Sequence, residues 1–110
     1  MSEYTEPNHV KRSKSLQLLT VITEAAIEAR LVSDMESMGA KGYTVVDVRG
    51  KGHQGMRAGG WDASANIRVE VICSPAIAES ISLYLKETYY DDYGMVVFTS
   101  EVGVMRPEKF

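Results

Sequence analysis

Residues Leu16 to Thr23, LQLLTVIT, are apolar and β-branched and read as a first strand. From Glu24 the period lengthens: Ile27, Leu31, Met35 and Met38 recur at helical spacing and mark one buried face of a helix. Thr23 is expected to cap its start and Gly39 to end it through a left-handed backbone. Tyr43 to Arg49, YTVVDVR, predicts a second strand with Val46 and Val48 on one face and Val45 on the other. In NIRVEVIC, Ile67, Val69, Val71 and Cys73 alternate with Asn66, Arg68, Glu70 and Ile72, so this third strand is apolar on one side and mostly polar on the other. Cys73 continues the apolar row and reads as packing material.

Ser74 and Pro75 pair as cap and first-turn residue of a second helix with Ile77, Ile81, Tyr84, Leu85 and Thr88 along one side. TYYDDYG, from Thr88 to Gly94, closes it, and MVVFTSEVGVM supplies a fourth strand. The order strand, helix, strand, strand, helix, strand predicts an α+β, ferredoxin-like βαββαβ fold with an antiparallel sheet and both helices on one side. The second sheet face then lacks a cover. Val45 and the opposite-phase residues of the last strand are expected to meet other subunits there, which favours a homo-oligomer.

Length adds weight to that expectation, because a single domain of 110 residues buries a modest share of its unfolded surface. Residues 1 to 15 mix charge, Ser, Asn and Pro without periodicity and read as a flexible N-terminal arm; residues 16–105 form the domain, with a large loop at 50–65, and 106–110 a polar tail. No apolar run approaches the length of a membrane span and the start lacks a signal-peptide pattern, so the expected compartment is the cytoplasm. One cysteine excludes an internal disulfide and a thiolate zinc cluster.

The net charge of -3 argues against nucleic-acid binding. Between residues 41 and 68 the sign reverses: Lys41, Arg49, Lys51, Arg57 and Arg68 stand against Asp47 and Asp62. A small anion suits such a patch better than a polynucleotide.

That patch contains RGKGHQGMRAGGWDAS, residues 49–64, with five glycines and three Lys/Arg. Glycines let backbone N–H groups approach a ligand, and Lys51 and Arg57 add charge for phosphate oxygens. Neither GxGxxG nor GxxxxGK[ST] is present, so the Rossmann and Walker readings lack their motifs, and a plain connection between strands remains the alternative. Ahead of it, GAKGYT from Gly39 to Thr44 offers Lys41 to an anion, Gly42 for close approach and Thr44 for a base edge, or simply caps a helix and turns. The two ends of the intervening strand lie too far apart to share a small ligand unless the loop folds back or a neighbouring subunit contributes. His53 reads as a solvent-facing loop residue, Trp61 as a stacking or docking group, and Asp91 with Asp92 as a solvated turn.

Taken together, GAKGYT, RGKG at Arg49 to Gly52, Arg57, ANIRVEVIC and YYDDYGMVVFTSEV resemble the PII-like signal-transduction proteins, in particular the bicarbonate-transport and carboxysome-associated branch. The likeness covers Leu16 to Val104. It implies a homotrimer with adenine nucleotides in clefts between subunits. Lys41, Gly42, Tyr43 and Thr44 would embrace the nucleotide; Gly50, Lys51, Gly52 and Arg57 would meet its phosphates; Tyr93, Gly94, Met95 and Val96 would approach from the adjacent subunit.

By the same resemblance the protein is not an enzyme. ADP, AMP, ATP or cAMP, with bicarbonate as a further candidate, would act as regulatory ligands and not as a tightly bound cofactor. The loop would switch between mobile and ordered forms and engage a bicarbonate transporter or carbon-fixation protein, in the first case at the inner face of the membrane. The uridylylated-tyrosine segment of nitrogen-regulatory PII proteins is not found, and no cysteine-bearing extension follows RPEKF, so neither of those controls is expected. The alternatives are a slow nucleotide-phosphate hydrolase and a structural, metal-tolerance-like trimeric module that binds no nucleotide.

Overall fold

The computed structural model describes residues 14–50 and 65–110. Four strands, β1 (Lys14–Glu24), β2 (Thr44–Val48), β3 (Asn66–Cys73) and β4 (Val96–Val104), form one antiparallel sheet in the order β2-β3-β1-β4. Helix α1 (Glu28–Ser37) connects β1 to β2 and helix α2 (Pro75–Tyr89) connects β3 to β4. This is the expected α+β ferredoxin-like arrangement.

The period-two pattern of β3 is followed residue by residue: Ile67, Val69, Val71 and Cys73 are buried, and the residues between them are half-buried. Register places Leu19, Val21 and Thr23 of β1 beside Val71, Val69 and Ile67. Leu31 and Met35 of α1 and Ala78, Ile81, Leu85 and Tyr89 of α2 belong to the same core. Helical spacing on one side and alternation on the other thus meet in a single apolar layer.

Several expectations change at the ends of elements. β1 begins at Lys14, two residues inside the anticipated arm, because β4 runs far enough to pair Val104 with Lys14 and Gly103 with Ser15. Thr23 does not cap a helix: it is a buried strand residue whose Oγ1 has no hydrogen-bond partner among the described residues. The chain instead enters α1 through a 3-10 turn, Ala25–Ile27, and the Ala25 N–H donates to the Ala65 carbonyl at 2.8 Å. Ser74 does cap α2, accepting from the Ile77 N–H at 3.2 Å, with Pro75 in the first turn.

Gly39 ends α1 as expected, with φ +113°. The Gly39 N–H donates to Glu36 and the Ala40 N–H reaches back to Met35, the double closure of a Schellman motif, while Ala40 and Met35 both enter the core. The turn therefore points residues 41–44 toward the start of β2 and away from the helix.

Val45 also departs from its expected face. It pairs with buried Val69 and packs against the core, so it faces the helices, and Val46 takes the open side at 37% exposure. Register carries that open row from Val46 through Arg68 and Ile22 to Val96. Phe98, half exposed and opposite Thr20, extends it. The uncovered apolar face is real, but its β2 member is Val46.

Candidate functional site

Lys41, Gly42, Tyr43 and Thr44 emerge from the Gly39 turn at the edge of the sheet. Lys41, Tyr43 and Thr44 are exposed and Gly42 is half-buried. Thr44 opens β2 and pairs with Glu70, while Val46 pairs with Arg68. Arg68 Nε lies 3.2 Å from Glu70 Oε2 but outside hydrogen-bonding geometry, so the contact is an ion pair held by charge. These two groups stand beside the expected nucleotide turn; the sequence reading places both in the polar phase of β3 and counts only Arg68 in the local charge. Their place in the polar phase of NIRVEVIC, with Asn66, is the available signal.

Gly50 is exposed just beyond the far end of β2, where Val48 pairs with Asn66. Lys51, Gly52 and Arg57 lie outside the described residues, as do His53 and Trp61. At the usual strand rise Thr44 and Val48 stand about 14 Å apart. Thr44 and Gly50 therefore lie toward opposite ends of β2.

The third segment sits on the opposite edge. After α2, the Asp92 and Tyr93 N–H groups both donate to the Tyr89 carbonyl, at 3.1 and 3.0 Å, and the Met95 N–H donates to Tyr93 at 2.9 Å. The Gly94 N–H donates to Glu24 Oε2 at 3.3 Å, so Glu24, at the end of β1, steadies this turn as well. Tyr93 is half-buried and Val96 is exposed on the open face. Met95 is 7% exposed and belongs to the core of its own subunit, which leaves its backbone, and not its side chain, for any contact. Asp91 and Asp92 are exposed in the turn, as expected.

A polar knot lies beneath that turn. Asp34 of α1 accepts a hydrogen bond from Tyr89 Oη at 2.5 Å and another from Tyr84 Oη at 3.2 Å. Arg30 lies over the Tyr89 ring, 4.9 Å from its centroid. Burial, then the Asp34 hydrogen bond, pushes the Tyr89 hydroxyl well above the ordinary tyrosine range, and burial also raises the Cys73 thiol.

Among the described residues no group of three His, Cys, Asp or Glu is arranged to hold a metal ion, and no helix is long and apolar enough to cross a membrane. An open groove of about 380 Å³ between α2 and β4 is lined by Leu83, Lys86, Tyr90 and Phe98 among others. It does not contain the residues of GAKGYT. Thr44 opens β2 and Val96 opens β4, the two outer strands of the sheet, whose axes lie about 14 Å apart at normal strand spacing. The two segments expected to meet the ligand thus lie at opposite edges of the sheet in one subunit.

Residues 16–109 match the family model described as nitrogen regulatory protein P-II. A PII-like signaling protein from Thermus thermophilus is 38% identical, with 87% of this chain and 95% of that chain covered and a TM-score of 0.75. CPII from Thiomonas intermedia, solved bound to ADP and bicarbonate, is 28% identical over 88% of this chain and 95% of that chain, at a TM-score of 0.74. A further CPII structure, bound to ADP, AMP and acetate, is 26% identical over 87% and 94% of the two chains, again at 0.74. With the βαββαβ topology and a family match running from Leu16 in β1 to Lys109, this chain belongs to the nitrogen regulatory protein P-II family.

Proposed function

We propose that the protein is a non-enzymatic regulator that binds adenine nucleotides in clefts between the subunits of a homotrimer and controls inorganic-carbon uptake or carboxysome-linked metabolism. Family membership supports the regulatory class, and the CPII relatives bound to ADP, AMP and bicarbonate support the ligands and the bicarbonate-associated branch. ATP and cAMP belong to the same ligand class and are tested beside them.

The observation that supports the reading most is the strand order, which sets the two expected ligand segments at opposite edges of the sheet. Lys41 to Thr44 lie at one edge of the sheet and Tyr93 to Val96 at the other, and a head-to-tail contact that closes as a ring brings unlike edges together. The open apolar face, with Val46, Ile22, Val96 and Phe98, supplies area for such a contact. In the assembled cleft Lys41 through Thr44 hold base and ribose, Gly50, Lys51, Gly52 and Arg57 meet phosphates, and the Tyr93 to Val96 segment closes from the neighbour. Nucleotide charge then biases the 50–65 loop, provided the ligand binds one loop arrangement more tightly than another. The loop's partner is a bicarbonate transporter or a carbon-fixation protein, met in the cytoplasm or at the inner face of the membrane.

Calorimetric titration of nucleotide-free protein with AMP, ADP, ATP and cAMP, with and without bicarbonate, tests the ligand class. Sedimentation at the same concentrations tests the assembly. Saturable ADP or AMP binding by a trimer is the expected result; no heat and no protection by any adenine nucleotide would remove the proposal.

A further inference from the structure

From the contacts beneath the α2 terminus we infer that Asp34 is a positioning residue for the Tyr93–Gly94 half-site, acting through Tyr89. The inference deepens the nucleotide-cleft reading and rests on it for its consequence.

Tyr89 is held at both ends. Its ring is completely buried, its hydroxyl donates to Asp34 at 2.5 Å, and the Arg30 guanidinium covers one face of the ring. Its carbonyl accepts the amides of Asp92 and Tyr93, and its ring lies 5.9 Å from the Tyr93 ring at an interplanar angle of 58°. An edge-tilted aromatic pair at that distance has a preferred geometry, so fixing one ring restricts the other. A line of direct contacts therefore runs from the Asp34 carboxylate to Tyr89 and on to Tyr93. A buried tyrosine hydroxyl also requires an acceptor, and Asp34 supplies it.

Tyr84 provides an internal control. It donates to the same Asp34 oxygen, at 3.2 Å, and packs against the same core, yet the amide bonds of Asp92 and Tyr93 and the Tyr93 ring contact all go to Tyr89 and not to it. Removing either hydroxyl takes one hydrogen bond from Asp34. Only the loss at Tyr89 frees the group on which the turn is built.

The test compares Tyr89→Phe, Tyr84→Phe, Asp34→Leu and Asp34→Asn in the full-length protein, using ADP calorimetry and hydrogen exchange at the Asp92 and Tyr93 amides. Tyr89→Phe and Asp34→Leu are expected to lower ADP affinity roughly fivefold, less than the full worth of a hydrogen bond to a charged group because Asp34 acts through Tyr89 and does not touch the ligand. Tyr84→Phe is expected to stay within about twofold, and Asp34→Asn, which keeps an acceptor oxygen, to recover most of the loss. Equal affinities in Tyr89→Phe and Tyr84→Phe would reduce Asp34 to a structural residue and overturn the inference. If the parent protein binds no ADP, the nucleotide reading fails separately, and exchange decides the positioning: faster exchange in Tyr89→Phe than in Tyr84→Phe sustains it, whereas equal rates overturn it.

Discussion

Replacing Gly39 by alanine should destabilise the subunit by about 2 kcal/mol. Two features of the turn set that figure. At φ +113° the residue lies beyond the left-handed well that alanine tolerates with difficulty, and such backbone costs on the order of 1–3 kcal/mol for a residue with a Cβ. The added Cβ would also meet Ile77 Cδ1 at 3.0 Å, a contact the methyl can relieve by turning away from a favoured rotamer, for up to about 1 kcal/mol. Against these stands the reduced freedom of alanine in the unfolded chain, worth roughly 0.4–1 kcal/mol in the other direction. Urea unfolding at fixed protein concentration, with unchanged slope, measures the difference without confusing it with assembly. A loss below about 0.5 kcal/mol would mean that the Schellman turn does not hold this backbone and that its aiming of residues 41–44 is wrong. Gly42 and Gly94 supply the contrast: neither has positive φ, and a Cβ at either has no heavy-atom neighbour within 4 Å. Gly42→Ala and Gly94→Ala should leave subunit stability within about 0.5 kcal/mol. They should weaken ADP binding all the same, because glycine there matters only where a ligand or a neighbouring chain comes close; unchanged calorimetric affinity would withdraw both assignments.

The other expectations can be checked with purified protein. Arg57→Ala and Lys41→Ala should each lower ADP and AMP affinity by about tenfold in calorimetric titration, the usual effect of losing a charge-assisted contact to phosphate, and an unchanged affinity at either position removes that residue from the site. Phe98→Asp places a charge on the open sheet face and should shift the sedimenting species toward monomer, while the far-ultraviolet circular dichroism remains that of the folded subunit. Because burial and Asp34 raise the Tyr89 hydroxyl above its unfolded value near 10, its contribution to stability is complete below that pH and is lost as the solution becomes more alkaline. Unfolding followed from pH 9 to 11 should therefore show a fall that is shallower in Tyr89→Phe.

The sheet and both helices are legible in the sequence because their signals are periodic. β3 alternates without a break, and Ile27, Leu31 and Met35 keep helical spacing even though the first of them lies in a 3-10 turn. Ends are harder. Thr23 has the chemistry of a cap, but its place beside Ile67 in the β1–β3 ladder turns it inward, and tertiary pairing overrides the local preference. Val45 falls on the face opposite to the expected one because YTVVDVR is apolar in both phases, so only pairing with Val69 decides which side is covered. The Asp34 knot has no signature in the chain: its members are 50 and 55 residues apart, and the acidic residue stands on an otherwise amphipathic helix. Of the candidate site, the glycine turn and the exposed basic group are visible in composition. The burial of Met95 and the reach of Glu24 to Gly94 depend on how β1 and β4 lie side by side.

Because Lys41 to Thr44 lead into one edge strand and Tyr93 to Val96 into the other, the proposed ring would have each cleft drawn from two chains, and a damaged subunit need not damage one cleft alone. In a closed ring, a chain with a defective β2 side spoils the cleft toward one neighbour and remains a competent partner toward the other. A second chain defective only on its β4 side has the opposite fault. Rings assembled from both kinds would each regain a single working cleft, although neither chain forms one with itself, so co-refolding two inactive variants should restore binding.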